Sequence, residues 1–163
     1  MTGGQQRALR ELAQLEIANP GWLKIGRTEE LNGLVLALIT VRIGPIQTIP
    51  DGLKLREREE FVLIISKDFP FVYPGLKVTH NRFAGFPHVV WSNTICLYQS
   101  IIEWNPSDGL FGFFDRLVLW LGRAAINDMD PVEGPLEPPH HITNFSERPF
   151  VIRCNAPVAA GES

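Results

Sequence analysis

Cysteine is scarce in this sequence: there are two, Cys96 and Cys154. Two thiols make no disulfide framework, and without a CxxC spacing they make no metal knuckle either. An excess of charge of one sign is also missing. The 163 residues carry 15 Lys and Arg against 18 Asp and Glu, a formal net charge of -3, and no basic run. That balance gives no electrostatic footing for nucleic acid or an anionic membrane. Long apolar runs are absent too: the longest, Leu34 to Ile39, is far short of the roughly 20 residues that span a bilayer. The opening MTGGQQRALRELAQ has no apolar core of a secretory signal, so a cytoplasmic location is expected. No glycine-rich phosphate loop occurs, so nothing in the chain predicts ATP-driven activation, and no cofactor is expected.

What remains is a soluble, globular composition, 45% hydrophobic and 20% charged, on a length that suits one domain with a sizeable core. Met1 to Gln6 read like a piece of an expression tag and carry no structural expectation. From Arg7 to Ala18 the spacing predicts a helix, with Ala8, Leu12 and Leu15 near one face, stopped by Asn19-Pro20-Gly21. Trp22 to Ile25, Leu34 to Ile43, Phe61 to Ser66 and Leu76 to Thr79 read as strands, with a turn at Pro50-Asp51-Gly52. Short links between them favour antiparallel pairing. Asn81 to Gly109 shows no period and reads as a long functional loop. Leu110 to Ile126 follows as an apolar helix with Ser107 or Asp108 as N-cap. It should pack on more than one side. Pro135, Pro138 and Pro139 forbid a regular helix afterwards. The domain is therefore expected to span residues 1–139, with 140–163 a tail that holds one strand-like piece, Phe150 to Cys154.

The segment from Phe69 to Pro106 resembles the signature region of ubiquitin-conjugating (E2) enzymes. Phe69-Pro70-Phe71-Val72-Tyr73-Pro74 is similar to the family's turn after its third strand, and Ile95-Cys96-Leu97 to the residues around its active cysteine. Trp104 and Pro106 stand eight and ten residues after Cys96, and Pro87 nine before it, at the family's offsets. His88 stands where the family's tripeptide has Asn. With a Pro-rich stretch where eukaryotic members continue as helices, this resembles the standalone bacterial E2-like proteins of anti-phage, cyclic-oligonucleotide defence operons. The resemblance implies an α+β fold: an N-terminal helix, a four-stranded antiparallel meander, a long active-site loop and a central helix. It implies Cys96 as the acyl-carrying nucleophile, with Pro87 and Trp104 supporting. It also implies a modified client, either a neighbouring nucleotide cyclase or a ubiquitin-like protein, with an E1-like protein as a possible source of the acyl group.

These residue types suit the chemistry. A thiolate attacks carbonyls and also leaves well, so a thioester on Cys96 can pass its acyl group to an amine. The oxyanion then formed needs a donor. His88 can donate from either ring nitrogen or act as a base, although a loop histidine bonded to backbone is as common. Tyr98 can bring a hydroxyl to the site, while Tyr73 and Trp104 read as packing residues. Asp130 and Glu133, after the central helix, match the region where the family places an acid that orients the acceptor amine; a solvated acidic loop is the plain alternative. For Cys96 the plain alternative is a buried small hydrophobe. His140 and His141 point to opposite sides of an extended chain and have no third ligand, so no metal is expected. Cys154 reads as an ordinary tail residue. Two other functions compete: a non-catalytic binding module of the same fold, and a cysteine hydrolase using Cys96 and His88. The aromatic loop residues Phe83, Phe86, Trp91 and Tyr98 suit an extended peptide tail as partner.

Overall fold

Alternation of buried and half-buried residues sets the sheet. In the computed structural model, which describes residues 1–44 and 46–129, strand β2 (Leu34–Arg42) turns Val35, Ala37, Ile39 and Val41 inward and Leu36 and Leu38 outward. It pairs antiparallel with β1 (Leu23–Leu31) and β3 (Arg58–Ile65), and β3 pairs with β4 (Gly75–Val78). This four-stranded meander gains a short fifth strand, β5 (Thr94–Ile95), giving the order β1-β2-β3-β4-β5. β1 runs six residues beyond the expected Ile25, because Asn32 (φ 52) and Gly33 (φ 79) form a tight hairpin turn that extends its pairing with β2.

Helix α1 (Gly3–Ala18) starts earlier than its apolar spacing predicts. Thr2 and Gln5 make a reciprocal capping box, and the buried Gln5 amide donates to the carbonyls of Gly33 and Ile65. The tag-like opening is thus part of the fold, a correction that composition could not supply. Helix α2 (Gly109–Ala125) places Phe113, Leu117, Trp120, Leu121 and Ala124 in the core as expected, and Phe114 with them. Val118 and Leu119 are exposed instead, so among the described residues the helix is covered on one broad side. Its C-terminus is closed by the β2–β3 connection: Ile49 and Leu53 N–H donate to the carbonyls of Ala125 and Ala124 at 3.1 and 2.8 Å. Gly52 permits that approach, since a Cβ there would lie 1.8 Å from the Ala125 oxygen.

No helix among the described residues is long and apolar enough to cross a membrane.

Candidate active site around Cys96

The loop that looked structureless contains a hairpin. Phe86-Pro87-His88-Val89 is a β-turn closed by Val89 N–H on the Phe86 carbonyl at 3.1 Å, with Pro87 first and His88, φ 62, second of its central residues. That is the type II pattern, where Pro suits the first position and a positive φ is required at the second. Histidine and asparagine tolerate this left-handed region better than most side chains, which gives a physical reason why either can follow Pro87. From the turn, Val89 bridges Ile95, Val90 and Thr94 bond at 2.9 Å, and Cys96 N–H donates to the His88 carbonyl at 2.8 Å. The second arm is β5, which docks on β4 at Leu76 and Lys77. Cys96 therefore leaves the sheet edge directly opposite His88.

The segment after Cys96 is clamped from two sides. The Trp104 indole N–H donates to the Pro70 carbonyl, tying the loop to the Phe69–Pro74 turn. Tyr98 stacks on Tyr73 at 4.9 Å and meets Trp104 edge-on at 5.4 Å. From α2, Arg116 donates to the Leu97 carbonyl at 2.9 Å, pairs with Glu103 at 2.6 Å and lies 4.4 Å over the Tyr98 ring. The Arg116 bond holds the Glu103 carboxyl below its ordinary range, against the opposing pull of partial burial. Burial pushes Tyr98 up to about 12 despite Arg116. Burial, and after it the negative charges of Cys96 and Glu103, also raise Tyr73, so its hydroxyl stays protonated.

Cys96 is half-buried and opens onto a cleft of about 210 Å³, whose walls include His88, Leu97, Arg116, Trp120 and Arg123. A larger concavity of about 1100 Å³ on the outer face of the sheet shares no residue with it. The smaller cleft is the one that brings a thiol, Cys96, together with an imidazole, His88.

Of the residues expected at the site, Cys96 and His88 line one cleft, Pro87 shapes the turn before it, and Tyr98 and Trp104 form the aromatic support beneath. Asp130, Glu133, His140, His141 and Cys154 lie outside the described residues. Among the described residues no cluster of His, Cys, Asp and Glu could hold a metal. The aromatic loop surface is smaller than expected. Phe83 and Tyr98 are buried in the core and Phe86 is half-buried, leaving Trp91 fully exposed. Sequence reasoning missed Arg116, Arg123 and Glu103. The readable signal was the seven-residue spacing that puts the two cations on one face of a helix whose one other charged residue is Asp115.

A helix and an antiparallel meander, a cysteine on the loop beyond the last strands and a helix across the site define the ubiquitin-conjugating class of fold. The structure of human ubiquitin-conjugating enzyme E2 G1 superposes with a TM-score of 0.54 at 21% identity, over 73% of this chain and 94% of that one. The sequence model of Prokaryotic E2 family A matches residues 23–150. The chain belongs to that family. No curated protein matches it.

Proposed function

We propose that the chain is an E2-like conjugating enzyme that carries an acyl group as a thioester on Cys96 and passes it to an amine. The observation that carries this reading is the placement of Cys96: half-buried, on an open cleft, and registered opposite His88 by a 2.8 Å backbone bond. Cys96 Sγ attacks an activated C-terminal carbonyl, the old acyl bond breaks, and the amine later displaces the thiol. His88 is the candidate donor to the oxyanion or base for the amine. Asp130 and Glu133 are candidates for orienting the acceptor. The source of the acyl group is an E1-like protein or a client's own activated C-terminus. In keeping with the defence-operon resemblance, the client is a nucleotide cyclase modified at its C-terminus, in the cytoplasm; a separate ubiquitin-like protein is the other partner this chemistry accepts.

Incubating the chain with the cyclase and an activating extract should give an adduct that hydroxylamine cleaves. Cys96→Ser should leave a more stable oxyester, and Cys96→Ala none. An adduct that persists in Cys96→Ala but disappears in Cys154→Ala would move the role to Cys154. His88→Asn keeps a side chain that tolerates the left-handed turn, so it should load normally and differ from wild type only in transfer rate. Loss of loading in that variant would assign His88 to the first step instead.

A further inference from the structure

Arg116, Leu119, Trp120 and Arg123 recur at i, i+3, i+4 and i+7 along α2, so they form one stripe, and all four line the Cys96 cleft. At about 1.5 Å rise per residue, the two arginines stand roughly 10 Å apart along the helix. They are in different situations. Arg116 is committed: it holds the Leu97 carbonyl and the Glu103 carboxylate, and so marks the nucleophile end of the stripe. Arg123 is exposed, and among the described residues it makes no ion pair and no side-chain hydrogen bond. A cation in the last turn is favoured by the helix C-terminus, but that leaves its five N–H donors available.

The sign of this wall matters. Glu103 is the one carboxylate among the described residues lining the cleft, and Arg116 already neutralises it. Among the described residues that line the cleft, Arg123 is therefore a cation with no carboxylate opposite it, and such a group favours a carboxylate over an ammonium. Between the two cations, Leu119, 56% exposed, offers an apolar contact, backed by the buried Trp120. An extended peptide advances about 3.3 Å per residue, so about three residues cover the distance between the arginines.

We propose that this stripe seats the C-terminal tail of the acyl donor, and that Arg123 reads an Asp or Glu side chain about three residues before the carbonyl that joins Cys96. The inference rests on the thioester reading above. A planar guanidinium receives a carboxylate through two parallel hydrogen bonds, which makes the contact selective for acid over amide. Arg123 is thus a specificity residue for the donor, remote from the bond that forms.

Peptide thioesters of N-acetylcysteamine test this without any activating partner. Cys96 thiolate attacks the peptide carbonyl, the carbonyl bond to Cys96 forms as the bond to N-acetylcysteamine breaks, and the released thiolate takes a proton from water. Five-residue peptides with Glu, Gln or Lys at the third position before the carbonyl are offered to the full chain, and loading is followed by intact mass. The Glu peptide should load at least 10-fold faster in kcat/KM than the Gln peptide, with the difference in KM, and the Lys peptide should be slowest. Arg123→Gln should remove the Glu advantage while lowering the melting temperature by no more than the few degrees that losing a last-turn cation costs, and Arg123→Glu should invert it toward Lys. Equal loading of the Glu and Gln peptides, or a preference that survives Arg123→Gln, overturns the proposal and leaves the thioester reading intact. Failure of every peptide to load, while iodoacetamide still alkylates Cys96, overturns both.

Discussion

Glu59 is 1% exposed, yet it is ionised and satisfied. Arg82 grips both its oxygens, the Arg56 N–H donates at 2.6 Å, and His80 lies 3.1 Å away. Burial alone pushes its carboxyl up; Arg82, the Arg56 N–H and His80 outweigh burial and bring it below the ordinary 4.5. A depressed carboxyl contributes stability that is fully present above its unfolded value and is lost as pH falls through its folded value. Glu59→Gln should therefore cost about 3 kcal/mol at pH 7, since it leaves Arg82 unmatched, and should flatten the acid side of the stability curve. Urea titrations between about pH 3 and pH 7 check both; an acid limb as steep as wild type would assign the loss to other carboxylates. The cluster ties the approach to β3 to the start of the active loop, so it also bears on how Cys96 is held. Its members were legible in the sequence only as an isolated Glu, His and Arg, because alternation in β3 marks Glu59 for the inner face but says nothing of who meets it there.

Between elements, the clearest contact absent from local patterns is the cap of α2. Asp108 sits at the N-cap position with helical backbone, and its side chain accepts from the Asn105 amide and not from a helix N–H. The acceptor comes from α1 instead: Glu11, 8% exposed, takes the Leu110 N–H at 2.8 Å and pairs with Arg7 at 2.6 Å. A carboxylate at a helix N-terminus also meets the positive end of the dipole. Glu11→Ala should lower stability by about 1–3 kcal/mol, because a buried N–H loses its acceptor. Glu11→Gln should recover part of it by keeping an oxygen. A loss under about 0.5 kcal/mol by urea denaturation would mean that water or Asp108 takes over. Where elements rest on local signals, the sequence was readable: α2 began and ended within a residue of its apolar pattern, and the turn at Asn32-Gly33 was there to be used. The hairpin from Phe86 to Cys96 was not, since its pairing partners Val89 and Ile95 form too short a run to show a period.

For the whole molecule, one buried cluster joins Leu12 of α1, the inner faces of β2 and β3, Trp104 of the active loop and Phe113 of α2. The loop that follows Cys96 is thus part of the same cooperative unit as the core. Phe113→Ala should cost about 3–5 kcal/mol and, through its 6.2 Å contact with Tyr98, should also slow acyl loading. If loading per folded molecule is unchanged, the loop is held by Trp104 and Arg116 alone. The domain is expected to end near Pro139, so a chain stopped there should melt within about 2 °C of the full length. A larger drop would put part of residues 140–163 into the fold, a result that the family match through residue 150 leaves room for.

Sequence alone determined the class of fold and marked Cys96 as the candidate nucleophile. Period-two alternation, one apolar helix and the spacing of Pro87, Cys96, Trp104 and Pro106 are local or fixed-offset signals, and each survives in one dimension. Tertiary structure decided which charges matter. Arg116 and Arg123 look alike in sequence, but only folding brings Leu97 and Glu103 against one of them and leaves the other facing the cleft. The same holds for the tyrosines: Tyr98, two residues from Cys96, is turned into the core, while Tyr73, far away in the chain, feels the cysteine's charge. Burial and long-range pairing depend on the path of the whole chain, and a linear pattern does not encode them residue by residue.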